Sequence, residues 1–553
     1  MALEAPPTPE PARGEPARVL LVVAAPDYHA ALTPFLNRRR SQGYRVVLID
    51  SQNVLGTTQG SEAVSRLVDE IARHTPSTDA PSESRENETG PAAFVLLVGD
   101  APGLDKPLNS ARLIPAAIRT DKSHLSRPRS FVTDNVFGLP DDRGQPRLAV
   151  GRWPVRTSAE VGVQVRKSLN YERAQVPGRH RGEITFLATT PNYDPALDPL
   201  LERMAMGIIN VQVKPHWGLR ALYSSPRSEF FPGPEETQRQ VVRWLEDCTP
   251  MTLFAGHGFD CGVDCVRYDR KEYVVLDTEV AAQINGTRPG TVLWMSTCCC
   301  GDYDLAPPRR GLAESLMMNP RGPTAIVAGS DETSPYANLL LCLGLAQDVI
   351  ERSPDTLGEA LLRFKRAAFR PGPPLFKNLL LSMEPVERPE FLPEDHQFLY
   401  NLLGDPTLEL RVPRKPKLVA DVVEEPAVVT GQRSFLISGK LDDWADGVGW
   451  VSLAFDRMAA RERGPDVTAI EDETERRAAY FERFVRANNR IAAREQVQVR
   501  DGRFEWRVSV SEPLAAKVRW LQIYTHTEPT SSGDWQDGVA AQPVRLVTDS
   551  EGK

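Results

Sequence analysis

The chain has 553 residues, of which 41% are hydrophobic and 25% charged, and its formal net charge is -8. That length exceeds what one hydrophobic core organises and predicts several domains of ordinary globular composition. The negative balance argues against a nucleic acid or an anionic membrane as partner, and no apolar run is long enough to span a bilayer.

The opening residues, Met1-Ala-Leu-Glu-Ala-Pro-Pro-Thr-Pro-Glu10, hold no basic stretch followed by an apolar one. No secretory signal is predicted, and the expected compartment is the cytoplasm. Residues 1–17, rich in Pro, Ala and Glu, are expected to form a disordered leader. The run Val19-Leu-Leu-Val-Val-Ala24 then has the length and apolar continuity of a buried strand. Helical spacing follows over 28–43, stopping at Gly43, and residues 45–49 form a second strand. Residues 62–73 predict a helix, and 76–90, crowded with Ser, Glu, Asn and Thr, a mobile loop. Strands at 93–98 and 147–151 and a helix at 158–171 complete an α/β subdomain over residues 18–180, its sheet mainly parallel and covered on both faces.

The same grammar restarts at residues 184–188 and defines a second α/β subdomain over 181–412. Helices are predicted at 200–209, 237–245, 277–284 and 312–318, with helical segments over 338–370. The strand at 251–254 runs into Ala255-Gly256-His257-Gly258, and the strand at 291–295 into Ser296-Thr297-Cys298-Cys299-Cys300-Gly301-Asp302. A further strand lies at 324–328. The Pro-rich stretch Val412-Pro-Arg-Lys-Pro-Lys417 marks a boundary. Beyond it, short strands at 419–423, 434–440, 449–455, 502–510 and 518–525 predict a β-sandwich over 418–548. A charged insertion near 459–494, helical over 473–493, interrupts it.

The seven cysteines are Cys248, Cys261, Cys265, Cys298, Cys299, Cys300 and Cys342, and five of them fall between positions 261 and 300. An odd number gathered in one region is a poor disulfide framework and points instead to thiol chemistry or metal binding. His257 and Cys298 stand 41 positions apart (298 minus 257), each just past the carboxyl end of an apolar strand. In open α/β sheets reactive groups collect there. A thiol needs a nearby imidazole to attack a carbonyl, and the same imidazole can protonate the departing amine. Gly258 lets substrate approach the backbone and offers an N–H to an oxyanion.

Apolar strand, His-Gly, then apolar strand, small residue, Cys is the pattern of the caspase, legumain and gingipain group. Thr297-Cys298-Cys-Cys-Gly301-Asp302-Tyr303, followed by Glu314-Ser-Leu-Met317, resembles the gingipain family of cysteine peptidases. So do Phe94-Val-Leu-Leu-Val-Gly-Asp100, Thr133-Asp134-Asn-Val-Phe137, Val150-Gly-Arg-Trp-Pro-Val155, Asn170-Tyr-Glu172 and Leu403-Gly404-Asp405-Pro406-Thr-Leu408. The resemblance spans roughly residues 18–545 and implies a caspase-like catalytic unit of two α/β subdomains followed by an immunoglobulin-like β-sandwich. It implies a cysteine endopeptidase with Cys298 as nucleophile, His257 as general acid/base, and the N–H groups of Gly258 and Cys298 as oxyanion hole. Gingipains cut after Arg or Lys through an acidic pocket residue, for which Asp198 is the candidate here and Asp194 a shifted alternative. The family's supporting glutamate is replaced in Thr189-Thr190-Pro191-Asn192, and its pocket tryptophan at Pro335 or Tyr336. Ser296 and Asp260 are further substrate-binding candidates.

Other readings stand beside this one. Cys261, Cys265 and His257, with the three consecutive cysteines, form a candidate zinc site, although their spacing is not that of a finger. No cofactor is otherwise required, and structural calcium or zinc is not predicted. Which of Cys298, Cys299 and Cys300 attacks is open, and Cys299 and Cys300 are alternatively buried or redox-active neighbours. Asp260, Asp264, Asp302, Asp331 and Glu332 either make the cleft acidic or are solvated loop charges. Asp100, Asp134 and Asp405 are expected as turn-capping residues. The expected partners are a protein or peptide substrate and a regulatory protein docking on the C-terminal domain, as for an intracellular effector of bacterial defence. A catalytically silent peptidase-like scaffold is the alternative.

Overall fold

The computed structural model of the chain describes residues 18–76, 93–101, 112–173, 176–384, 386–427, 429–457, 466–530 and 535–546. The expected leader at 1–17, nearly all of the expected loop at 76–90, the start of the insertion at 459–494 and the last residues lie outside that range. The chain divides into two compact units. The first combines residues up to 174 with 258–263 and 277–410, and the second combines 175–257 with 264–276 and 411 onward.

The first unit is built on seven strands. Their order is Arg45–Asp50, Val19–Ala24, Ala93–Val98, Ala149–Trp153, Tyr400–Leu403, Ala325–Gly329 and Val292–Thr297. Neighbours are parallel except at one place: Tyr400–Leu403 runs with Ala149–Trp153 but against Ala325–Gly329. The sheet therefore reverses direction there, which apolar runs alone do not reveal. Val19–Ala24 and Ala93–Val98 are buried along their whole length, as both-face coverage requires. Helix Gly60–His74 turns Ala63, Leu67 and Ile71 onto Val19, Leu21 and Val23 of the sheet. Their four-residue spacing keeps them on one face.

Motifs far apart in sequence meet inside this unit. Buried Arg152 pairs with Asp134 at 2.7 Å and donates to the carbonyls of Gly99 and Ile114. Buried Arg39 bridges Glu172 at 2.8 Å and Asp405 at 2.5 Å, while Asp405 accepts from the N–H of Thr407. Asp100 accepts from Ala101 N–H and Arg156. The three aspartates are structural: Asp100 and Asp405 add arginine pairing to the capping expected of them, whereas Asp134 pairs with Arg152 and its side chain makes no cap hydrogen bond.

The second unit holds three parallel strands, Met251–Gly256, Glu183–Ala188 and Gly218–Tyr223, with Glu183–Ala188 in the middle. Helices Asp198–Gln212 and Pro234–Glu246 accompany them. After residue 411 come two antiparallel sheets, one of three strands (Leu418–Glu425, Gln432–Leu441, Arg503–Ser511) and one of four (Ile491–Val499, Gly447–Phe455, Val518–Thr527, Asp537–Pro543). Phe435, Ile437 and Trp506 of the first share a core with Val451, Leu453 and Leu521 of the second. The insertion differs from expectation. Its helix runs Glu473–Asn488 and the chain then turns extended at Asn489, so residues 491–493 are strand. Asn488 explains the stop: its side-chain amide accepts from Ala221 N–H at 2.7 Å and donates to Ala221 O at 3.0 Å, on the outer strand Gly218–Tyr223.

Candidate active site

His257 and Cys298 each follow the last residue or two of a strand. Gly258 and Cys298 lie in the first unit and His257 in the second.

On the histidine side, strand Met251–Gly256 ends in Gly256 at φ +132°, a conformation open to glycine and closed to side chains. A Cβ there would sit 2.0 Å from Thr189 Oγ1. That hydroxyl oxygen instead accepts the His257 N–H at 3.0 Å. The His257 ring is fixed by two contacts: Nε2 donates to the Pro191 carbonyl, and Tyr193 packs against the ring with centroids 5.4 Å apart. A carbonyl oxygen only accepts, so Nε2 carries the hydrogen and Nδ1 of the neutral ring keeps its lone pair. Thr189, Pro191 and Tyr193 thus orient the imidazole. The sequence displayed Thr189 and Pro191 as part of a departure from the family's glutamate but did not single out Tyr193, and their placement after strand Glu183–Ala188 was the available signal.

The same loop carries Asp194, and Asp198 opens the helix that follows it. Asp198, the first residue of its helix, accepts from the N–H groups of Tyr193 and Asp194. Asp194 accepts from Ala196 and Leu197 N–H at 2.7 and 3.2 Å. Each therefore commits a carboxylate oxygen to local backbone, as Asx turns do.

On the cysteine side, strand Val292–Thr297 delivers the three cysteines in a tight turn. Cys299 takes φ +58°, and the N–H of Cys300 reaches the Cys298 carbonyl at 2.6 Å. The turn is pinned to its neighbour by Cys299 N–H on Asp331 O and Gly301 N–H on Gly329 O. Thr333, which the sequence did not single out, cradles the Cys298 sulfur: its N–H donates to Sγ at 3.3 Å and its Oγ1 lies 3.7 Å away. Burial raises the Cys298 thiol above its ordinary value, and the Thr333 contacts work against that rise. Burial pushes Cys300 up to about 12 and Cys342 up to about 11, and raises Cys299 further still. Those three are protonated thiols at neutral pH.

Gly258 packs on this turn. A Cβ would stand 2.5 Å from Cys300 Sγ and 2.6 Å from the Cys298 carbonyl oxygen, so only hydrogen fits. Ser296 interacts with the Cys342 thiol and the Tyr400 hydroxyl. Tyr336 is buried with Leu340 and Leu392 in a small core. Asp260 pairs with Arg309 at 2.7 Å, Asp264 with Arg267 at 3.1 Å, and Glu332 with Arg129 at 2.6 Å. Arginine partners therefore offset three of the five carboxylates expected either to charge the cleft or to be solvated. Among the described residues no three His, Cys, Asp or Glu gather as a metal ion requires. The Arg309 guanidinium, 3.9 Å from Cys261 Sγ, opposes a cation beside that thiol.

The profile of Peptidase family C25 matches residues 13–411. The chain belongs to that family, the gingipain family of cysteine peptidases. No curated protein matches the chain in a sequence search. Among solved structures, the Arg specific cysteine proteinase gingipain R (RgpB) aligns over 96% of this chain and 98% of its own, with 14% identity and a TM-score of 0.50. The complex of Porphyromonas gingivalis RgpB pro- and mature domains aligns over 94% of this chain and 99% of its own, again with 14% identity and a TM-score of 0.50. At that identity the likeness concerns the fold, a mixed α/β architecture dominated by parallel strands, with β-sheets following it. Like other C25 members the chain is a cysteine peptidase and its substrate class is protein. Among the described residues no helix is long and apolar enough to cross a membrane.

Proposed function

We propose that this C25 peptidase cleaves peptide bonds with Cys298 as nucleophile and His257 as general acid/base. The observation that carries the reading is the fit of Gly258 against Cys298. Only a hydrogen fits there, and the glycine is one peptide bond from an imidazole whose Nδ1 keeps its lone pair. In the forward step the Cys298 thiol gives its proton to Nδ1 and sulfur attacks the scissile carbonyl carbon. The N–H groups of Gly258 and Cys298 stabilise the resulting oxyanion. The tetrahedral adduct then collapses, the C–N bond breaks, and the imidazolium protonates the departing amine. A water that loses its proton to the same Nδ1 hydrolyses the thioester and restores the thiol.

For the residue before the scissile bond we propose Arg or Lys, supported by two carboxylates, Asp194 on the loop that orients His257 and Asp198 at the start of the helix that follows it. The two antiparallel sheets with one core support an immunoglobulin-like platform for a regulatory protein. Cys261, Cys265, Cys298, Cys299, Cys300 and Cys342 are free thiols, which supports work in a reducing compartment such as the cytoplasm. Isolation from cells with any of these thiols paired as disulfides would count against that placement.

The dyad is tested by hydrolysis of peptides ending in Arg, Lys or Asp at the cleavage site. Cys298→Ala and His257→Ala should each reduce turnover by about 10⁴-fold or more, comparable with loss of a member of other nucleophile–histidine pairs. Full activity in either variant removes that residue from the mechanism. Asp198→Asn should lower the preference for Arg and Lys by at least about tenfold. If Asp194→Asn does so instead, the pocket role moves to Asp194, and if neither does, the basic preference is wrong.

A further inference from the structure

Beside Cys298 lies a line of polar side chains for which the dyad has no use. Tyr400, in the strand where the first unit's sheet reverses, donates its hydroxyl to Asn338 Oδ1 at 2.7 Å. Asn338, in helix Pro335–Gly344, donates from Nδ2 to Thr333 Oγ1 at 2.8 Å. Thr333 reaches the sulfur through two groups, with its N–H at 3.3 Å and its hydroxyl at 3.7 Å. Tyr400 and Thr333 are buried.

The amide in the middle of this line gives it direction. A side-chain carbonyl only accepts and an NH₂ only donates. The Tyr400 proton therefore points to Asn338, and an Asn338 hydrogen occupies a lone pair of the Thr333 oxygen. With that lone pair filled, the Thr333 hydroxyl hydrogen has two acceptors in reach, the Cys298 sulfur and the Tyr400 hydroxyl oxygen, and an ionised sulfur is the stronger of the two. The neutral thiol has a matching contact, since S–H can donate to the Thr333 carbonyl at 3.8 Å. One residue thus serves both protonation states: to the anion it offers two donors, its N–H and its hydroxyl, and to the thiol two acceptors, its carbonyl and its hydroxyl oxygen. Hydrogen bonds to an ionised acceptor are about twice as strong as neutral ones.

We infer that Thr333 is a thiolate cradle, a second device besides the imidazole for ionising Cys298, and that Asn338 and Tyr400 are positioning residues that aim its hydroxyl. This rests on the reading of Cys298 as nucleophile. Other charges face the sulfur. The Glu332 carboxylate disfavours the thiolate and Arg129, its ion-pair partner, favours it. The Cys299 and Cys300 thiols on the same turn and the Tyr400 hydroxyl also act on it. Burial of the site disfavours the anion most, so donors of fixed direction matter more there than they would in water.

The test is the rate at which iodoacetamide alkylates Cys298 in the full chain as a function of pH. The site is followed by mass spectrometry, in otherwise wild-type protein and in a His257→Ala background that removes the imidazole. Thr333→Val keeps the side chain's shape and its N–H but loses the hydroxyl. It should move the alkylation midpoint up by about one pH unit, or about tenfold slower reaction at pH 7, in both backgrounds. Thr333→Ser should restore most of the rate. Tyr400→Phe, which leaves the cradle's own atoms in place, should give a smaller shift of about twofold to threefold. A Thr333→Val midpoint equal to the parent's overturns the cradle. A shift seen only with His257 present overturns its independence from the imidazole. If Thr333→Val does not fold, Tyr400→Phe decides, and an unchanged midpoint there overturns the relay. Peptide hydrolysis measured alongside separates the two readings. Should Cys298→Ala still cleave peptides while the alkylation midpoint shifts as expected, the nucleophile assignment fails and the cradle stands.

Discussion

A single hydrogen atom separates the glycine beside the histidine from the turn that carries the thiol. Gly258→Ala would push a methyl group to 2.5 Å from Cys300 Sγ and 2.6 Å from the Cys298 carbonyl oxygen. The sulfur belongs to a fully buried side chain and the oxygen to the backbone, so the turn itself must shift. The expected outcome is hydrolysis reduced about 100-fold or more and a loss of about 1–3 kcal/mol in stability, read from peptide turnover and urea midpoints. Glu202 makes a different residue-scale case. Burial pushes its carboxyl up to about 7, against the opposing hydrogen bond from Ser228. A carboxyl whose folded pKa is raised binds its proton more tightly in the native state. The stability this brings is present below the unfolded value near 4.5 and is lost as pH rises through 7. Glu202→Gln should therefore gain on wild type between pH 5 and pH 8, by on the order of 2 kcal/mol. His396, held down to about 4 by burial, works in the opposite sense but equally in both proteins. Urea midpoints that differ by a constant across that range would refute the assignment.

At the scale of elements, helix Glu473–Asn488 covers a sheet edge. Its Ala479, Tyr480, Phe484 and Ala487 are buried, and Asn488 meets both backbone groups of Ala221 on the outermost of the three parallel strands. Uncovered strand edges invite pairing with other chains. Asn488→Leu should cost about 2 kcal/mol and increase self-association, detected by light scattering at raised concentration. A monomer of unchanged stability would show that the helix guards the edge without its terminal amide. The same helix marks how far sequence reasoning reaches. Val19–Ala24 and Ala93–Val98 were legible to the residue because continuous apolar runs leave no alternative face. Helix 473–488 was legible from its charged, helix-like composition, but its end was not, because Asn488 stops it with a contact more than 260 positions away. The first three residues of strand Ile491–Val499, a segment rich in Ala, Arg, Glu and Gln, read as helix and the rest as no strand, until its pairing with Gly447–Phe455 decided otherwise. Strand Gly218–Tyr223 was missed as well. At the candidate site Cys298, His257 and Gly258 stood out because motifs announce them. Thr333, Asn338 and Tyr400 did not, since hydrogen bonds across 62 and 5 positions follow no local pattern.

At the scale of the whole molecule, tertiary pairing links what the motifs scatter. The Arg152–Asp134 and Arg39–Glu172–Asp405 groups tie together segments that sequence reading could only set side by side as landmarks. Breaking such a buried pair leaves a desolvated charge, so each member depends on the presence of the others. The seam strand Tyr400–Leu403 carries this dependence into time. It stands between Ala149–Trp153 on one side and Ala325–Gly329 with Val292–Thr297 on the other. It is also the last of the seven to leave the ribosome, 250 residues after Trp153 (403 minus 153). At translation speeds of about 5–20 residues per second, the amino-terminal strands wait roughly 10–50 s for the neighbour that joins them to the strand ending at the thiol. A nascent chain or a truncated product cannot close that seam. Assembly of the reactive turn onto the rest of its sheet is thereby deferred until nearly all of the peptidase region has been made, a delay written into strand order and needing no inhibitory segment.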